Sequence, residues 1–394
     1  MTSGEKRLLL SVVGTLTFAS VYATLVMAPV LTQIADQFGV STGTAGLVAA
    51  AYGGPGIITS LLIGPYSDRF GRKRFLVAGA LLMGVFTIMS ALAPTFELLI
   101  VARAIAGIGG SLIFPNANAL VGDVFPYGER GRAMATVIGF NTMASVIGVP
   151  VAGVVAEATS WRISVGLVGV LALLAGSALA VFLKPTHTNI NADRIWAMYR
   201  LILRNPSAVA AIISSFLGSL YWFTWITYLV VFFQHTYGLS EGTASTYSLT
   251  LGLGVLIGSQ IGGRIGDRIG HRRVVAGTIV ASGVILLLLT AAPPPLLVTA
   301  AMNFALSAVI GARFATNTSL LTEQVPEARG TLFAFSSATA SLSIVAGATI
   351  GGFFVDTLGF GAIGVFCMGA ALLSSVIVLA FVREEPIEVD IGAA

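Results

Sequence analysis

Gly64-Pro65-Tyr66-Ser67-Asp68-Arg69-Phe70-Gly71-Arg72-Lys73-Arg74 decides the fold because it occurs twice. Gly263-Arg264-Ile265-Gly266-Asp267-Arg268-Ile269-Gly270-His271-Arg272-Arg273 echoes its spacing of glycine, acid and base about 200 residues later. Each copy is a short charged link between two long apolar runs, in a chain of 394 residues that is 56% hydrophobic and only 10% charged. A soluble domain needs far more charge on its surface, and a single core of that size is not built by chains of this length. The runs are therefore read as membrane spans, which need roughly 20 predominantly apolar residues each. Working outward from the two links, spans are predicted near 8–34, 43–65, 75–93, 97–123, 132–157 and 163–183, then near 207–233, 243–265, 274–292, 296–322, 331–355 and 361–382. A second echo, Asp123-Val124-Phe125-Pro126 with Arg130-Gly131 against Glu323-Gln324-Val325-Pro326 with Arg329-Gly330, closes the fourth and tenth spans. The chain is thus an all-α membrane protein of twelve transmembrane helices in two pseudo-symmetric halves. These are residues 1–183 and 206–394, the second with a short tail, joined by a polar linker at 184–205. Parallel six-helix halves are a transporter architecture whose solute site lies between the halves near mid-membrane.

Charge placement predicts the orientation. Eighteen of the 21 lysines and arginines, all but Arg103, Arg162 and Arg313, fall in the termini, the linker or the links on one side. That side is expected to be cytoplasmic, with both termini inside and the chain in the inner membrane. The net charge of +4 has the same origin, which argues against a nucleic-acid partner. Lys6 and Arg7 precede an apolar stretch that runs to about Ile34, too long for a cleavable signal, so it is read as the first span. The single cysteine, Cys367, excludes an intrachain disulfide or a thiolate cage, and His187, His235 and His271 lack ligand spacing, so neither a metal nor a cofactor is expected. The 46 glycines suit a lipid-embedded bundle whose backbones approach closely.

The Gly64-to-Arg74 link resembles the loop motif of the major facilitator superfamily, and Gly263 to Arg273 stands where that family places its weaker copy. Arg103-x3-Gly107-x-Gly109 in the fourth span is similar to the family's arginine motif. Gly139-x8-Gly148-Val149-Pro150-x2-Gly153 in the fifth resembles the glycine-proline motif of its antiporter branch. The resemblance implies a major facilitator fold, closest to the twelve-helix drug:proton antiporter branch that includes multidrug-resistance and sugar-efflux proteins. It further implies alternating access and a monomer in the bilayer. Gly64 is expected to let the second span press against a neighbour, and Gly71 to permit a tight turn. Asp68, Arg72 and Asp123 are expected to form an ionic latch at the cytoplasmic rim, and Asp267, Arg272 and Glu323 a weaker one in the second half; the alternative is that these charges only set topology. Gly139, Gly148, Pro150 and Gly153 predict a bent, close-packed fifth helix, against generic small-residue packing.

Candidate solute contacts follow from polar groups inside spans. An intramembrane arginine is costly and faces a cavity or partner unless it snorkels, which marks Arg103 and, nearer the inner side, Arg313. Tyr221, Trp222 and Trp225 sit about mid-span in the seventh helix, where aromatic faces stack on solutes or form an interfacial belt. Tyr22, Asn116, Asn141 and Asn303 are further lining candidates, each also able to serve as an interhelical hydrogen bond. No acidic residue lies centrally in any span. Two arginines without an acid give positive potential, which favours anionic, zwitterionic or neutral polar solutes over lipophilic cations. The expected function is secondary active transport of a small solute, by proton-coupled efflux antiport as the family branch implies. The alternatives are a uniporter or symporter of a sugar or organic anion, and a non-transporting sensor of the same architecture. No nucleophile–base pair or phosphate loop suggests an enzyme.

Overall fold

A helix satisfies every backbone N–H and C=O within itself, which is why apolar runs of this length fold as helices where no water is at hand. The computed structural model describes residues 3–183, 192–325 and 328–384. Among the described residues there are helices and turns and no strand. Eleven helical segments are long and apolar enough to cross a membrane. The twelfth is Leu249–Ile269, a 21-residue helix whose end carries Arg264, Asp267 and Arg268. The first span, Gly4–Phe38, is broken by a short 3-10 turn at Ala28–Val30, where Pro29 has no N–H to give. The others in order are Leu47–Phe70, Arg72–Leu92, Phe96–Val124, Tyr127–Ala158, Trp161–Phe182, Pro206–Tyr237, Leu249–Ile269, His271–Ala291, Leu296–Gln324, Arg329–Thr357 and Phe360–Phe381.

Both charged links are single-residue turns. Gly71 (φ 91°) and Gly270 (φ 95°) stand at equivalent places in a region of backbone space that side chains avoid, so the flanking helices run up to the links themselves. This is why the third span begins at Arg72 and the ninth at His271, three residues before the apolar runs suggested. The linker is not simply a polar stretch: Ala192–Arg204 is a helix. Its Tyr199 donates to the Leu61 carbonyl of the second span at 2.6 Å and meets Phe335 of the eleventh edge-on at 5.3 Å. Residues 184–191 and 385–394 lie outside the described residues.

Small residues set the spacing between helices. Gly254, Gly258 and Gly262 form a stripe on the eighth span, and a side-chain carbon on any of them would collide with the tenth span at Phe304, Ala308 or Ala312. The second span packs against the fourth and eleventh, and the seventh against the eleventh. The two halves meet along the second and eleventh spans and along the fifth and eighth. Hydrogen bonds join them at the end away from the charged links, hereafter the far end. There Tyr228 donates across to Gly43 O of the first half at 3.4 Å and within its own half to Ala348 O at 2.7 Å, Gly46 leaves room for its hydroxyl, and Thr32 donates to Gln234 at 3.4 Å.

The fifth span is interrupted as its glycine-proline motif suggested. A π turn over Ala144–Gly148 precedes Pro150, which cannot donate into a regular ladder. Gly148 abuts the Tyr22 ring and Gly153 abuts Ser245 of the eighth-span entry, both closely enough to exclude a side chain. Gly139 faces open space, so it has no part in that packing.

Candidate solute-binding site

The fourth span places Arg103 in the first half. Gly107 admits the backbone of Tyr52 from the second span, and Gly109 admits the third span at Gly79 and Met83. The aromatic ring of Tyr52 is thereby held 4.3 Å from the Arg103 guanidinium carbon. Arg103 is fully buried; its Nη2 donates to Ala23 O of the first span at 2.8 Å, while Nε and Nη1 have no hydrogen-bond partner. A cation over an aromatic ring recovers about 2 kcal/mol when desolvated, less than the several kcal/mol that burying the ion costs. Arg103 is therefore a held charge with free donors rather than a finished structural pair.

The second half holds Arg313 in the same condition. Its guanidinium lies 4.7 Å from Phe314 and 5.8 Å from Tyr221, and Gly218 supplies the space that it occupies. Nε and Nη2 are buried without partners, and among the described residues no carboxylate pairs with either arginine. Tyr221 accepts from Ser282 at 2.9 Å, and Trp222 meets Phe314 edge-on at 6.2 Å, so three predicted residues form one cluster with Phe314.

The other candidates sort differently. Trp225 donates to Asn303 Oδ1 at 3.0 Å, and Asn303 donates to Thr250 at 2.8 Å, a closed structural relay within the second half. Asn116 donates to Leu112 O of its own helix, leaving Oδ1 without a partner, and the Asn141 Oδ1 is unpartnered as well. Tyr22 stacks edge-on with Phe18 at 5.8 Å. One open space between the halves, about 330 Å³ with the solvent at its mouth included, is lined by Thr24, Leu25, Ala28, Leu31 and Ala49 from the first half and Phe223, Ile226, Thr227 and Ile344 from the second. No residue of the predicted binding set lines it. Tyr52 and Thr227 went unnoticed; the helical spacing of Thr227 from Phe223 was the available signal.

At the charged end, Arg72 Nε pairs with Asp123 at 2.5 Å. The surroundings of Gly64 and the side chain of Asp68 lie outside what the structure describes. In the second copy, His271 takes the place expected of Arg272, with Nε2 3.6 Å from Asp267 and 3.8 Å from Glu323. Arg272 instead turns to the carbonyls of Val378 and Leu379 at the end of the last span. The physical reason is register: Gly270 is the counterpart of Gly71, so the first residue after the turn, His271 rather than Arg272, stands where Arg72 stands in the first copy.

Comparison with known proteins bears on this arrangement. The family model described as Major Facilitator Superfamily matches residues 11–262 and 240–392. An uncharacterized MFS-type transporter, YwfA of Bacillus subtilis, is 25% identical over 91% of this chain and 88% of its own length. A gentisate transporter of Corynebacterium glutamicum is 26% identical over 60% of this chain and 55% of its own. The crystal structure of a D-xylose-proton symporter superposes with a TM-score of 0.78 at 18% identity, covering 97% of this chain and 99% of that one.

Proposed function

As the chain belongs to the Major Facilitator Superfamily, a family of multi-pass membrane transporters, we propose that it moves a small polar solute bearing negative charge by alternating access of its two six-helix halves, in exchange for protons. The charged links, linker and termini face the cytoplasm of a bacterial cell in this reading, following the asymmetry of arginine and lysine, and export is the working direction. The observation that carries the solute class is the pair of buried guanidiniums, one in each half, that keep donors free and lack a carboxylate partner. An anion entering between the halves supplies what both lack: charge-assisted hydrogen bonds and relief of a buried, uncompensated charge. The aromatic surfaces of Tyr221, Trp222 and Phe314 beside Arg313 suit a solute with an apolar or planar body. The gentisate transporter among the relatives handles a solute of that chemistry, an aromatic carboxylate.

The test uses purified protein in liposomes with a pH-sensitive dye inside and a panel of aromatic and aliphatic carboxylates, neutral sugars and cationic dyes. Proton movement driven by carboxylates and abolished by Arg313→Gln supports the reading. Vigorous transport of a cationic dye, with carboxylates inert, overturns it.

A further inference from the structure

The far end of the molecule carries a motif that appears twice. Ser41-Thr42-Gly43-Thr44-Ala45 opens the second span of the first half, and Ser240-Glu241-Gly242-Thr243-Ala244 opens the equivalent span of the second. Each serine caps its own turn, Ser41 Oγ accepting from Thr44 N and Ser240 Oγ accepting from Thr243 N. Each motif is also gripped by a carboxylate from the opposite half. Asp356, ending the eleventh span, accepts from Gly43 N at 2.8 Å and from Ser41 Oγ at 2.5 Å. Glu157, ending the fifth, accepts from Gly242 N and from Ser240 Oγ, the latter at 3.1 Å. The glycines are required, since a side chain on Gly43 or Gly242 would occupy the place of the carboxylate. Two latches related by the internal repeat thus fasten the halves together at one end.

They differ at the second residue of the motif. Thr42 stands in one copy and Glu241 in the other. Glu241 is 8% exposed and its Oε1 is buried without a partner, whereas Glu157 and Asp356 are exposed. We propose that Glu241, beside Glu157 in the fifth–eighth latch, is a proton-binding site that couples protonation from the far side to closure of the two halves, and that the Asp356 latch, with Thr42 in the equivalent place, is its counterpart without a buried acid. This rests on the alternating-access reading above and not on the solute class.

The electrostatics of the seam point the same way. Around Glu241, the fifth span contributes Glu157 and no cation, and the first span contributes Gln33, which hydrogen-bonds the carboxyl. The other ionisable groups on the neighbouring helices at this end are Asp36 on the first span, His235 and Tyr237 on the seventh, Tyr247 at the entry of the eighth and Arg162 on the sixth. Arg162 is committed to Ala91 O at 2.6 Å and to the Trp161 ring. Burial pushes the Glu241 carboxyl up to about 7, opposed by Gln33 and reinforced by the neighbouring Glu157 charge. Opening the far end exposes Glu241 to water and returns it to the ordinary carboxylate range. The sign follows: an acid whose pKa is raised in the closed state binds its proton there and releases it on opening. Falling pH therefore favours closure, over a window from about 7 down toward the solvated carboxylate value near 4.5. Among the described residues no carboxylate is central in a span, so this seam is where the pH of the far side meets a buried acid.

The experiment measures conformation without any solute. Spin labels on cysteines replacing Thr159 and Thr246, exposed residues of opposite halves, report the far-end distance in full-length Cys367→Ala protein in lipid nanodiscs. The ratio of closed to open molecules should rise about tenfold from pH 8 to pH 6, as a pKa near 7 against a solvated 4.5 requires. Glu241→Gln should remove that pH response and stay closed at pH 8. Glu241→Thr, which copies the Thr42 motif, should also lose the response, guarding against a misfolded glutamine variant. Asp356→Asn should open the seam at every pH while keeping the response. A wild-type distance distribution that is the same at both pH values, or a Glu241→Gln protein that retains the wild-type response, overturns the proposal. Failure of every anion to cross the liposome membrane would overturn the solute reading and leave these distances unaffected.

Discussion

Replacing Arg103 by methionine separates the two roles that a buried arginine can play. In the present structure Arg103 makes one charge-assisted hydrogen bond, to Ala23 O, and one cation–π contact, to Tyr52. Those recover about 1.5–3 kcal/mol and about 2 kcal/mol, while removing the ion from water costs several kcal/mol. The balance is near zero or unfavourable, because two N–H donors stay unpartnered. Methionine fills a similar volume and adapts to the gap, so Arg103→Met should leave thermal stability unchanged or raise it; buried ion pairs replaced by apolar residues gain about 1–4 kcal/mol. Transport should move the opposite way. Loss of one charge-assisted hydrogen bond to an anion, about 1.5–3 kcal/mol, weakens binding roughly ten- to a hundredfold. The assays are thermal unfolding of the purified protein followed by tryptophan fluorescence, and uptake of labelled carboxylate into liposomes across a concentration series. A Tm that collapses together with transport would refute the reasoning, since it would make Arg103 a structural brace. A stable variant with undiminished anion affinity would refute it from the other side.

Other consequences follow from the geometry. Asp123→Asn removes the acceptor charge opposite Arg72 and should increase labelling of cysteines placed at the charged end, with little change in solute affinity; an affinity loss without a labelling change would contradict a latch role. Gly71→Val forces a β-branched side chain to φ 91° and should cost about 1–3 kcal/mol of stability, visible as a lower Tm, whereas Gly139→Ala, facing open space, should cost nothing measurable. Asn303→Leu strands the Trp225 N–H and takes away the donor to Thr250, and should destabilise by about 1–3 kcal/mol, with solute selectivity unchanged in competition assays.

The architecture was legible because membrane helices advertise themselves by length and because the charged link repeats; both copies turned out to share a positive-φ glycine as well as a sequence. The linker helix was less visible, since Ala192–Arg204 is short and charged and its ties to Leu61 and Phe335 are tertiary. The site was legible at the level of which residues are unusual, not of who meets whom. Arg103 and Arg313 stand out in any hydropathy reading, but their aromatic partners Tyr52 and Phe314 do not. Arg272 and His271 adjoin in sequence, and only the helix rotation after Gly270 decides which one faces Asp267. Glu157 reads as a solvated helix-end acid until Ser240 and Gly242 are seen to lie against it.

The internal repeat separates packing from chemistry in a way that a single half cannot. Arg103 and Asn303 are each the eighth residue of equivalent 29-residue helices. One is a cation with free donors; the other is a neutral amide with both functions satisfied by Trp225 and Thr250. The same contrast holds between Glu241 and Thr42, whose flanking serines and glycines make the same contacts to opposing carboxylates. Where both copies keep a residue, as with Gly71 and Gly270, backbone geometry demands it. Where the copies diverge while the surrounding contacts persist, the fold has no need of the more expensive member. A buried charge that its counterpart shows to be dispensable for folding is held against a cost, and binding an anion or a proton is what offsets that cost.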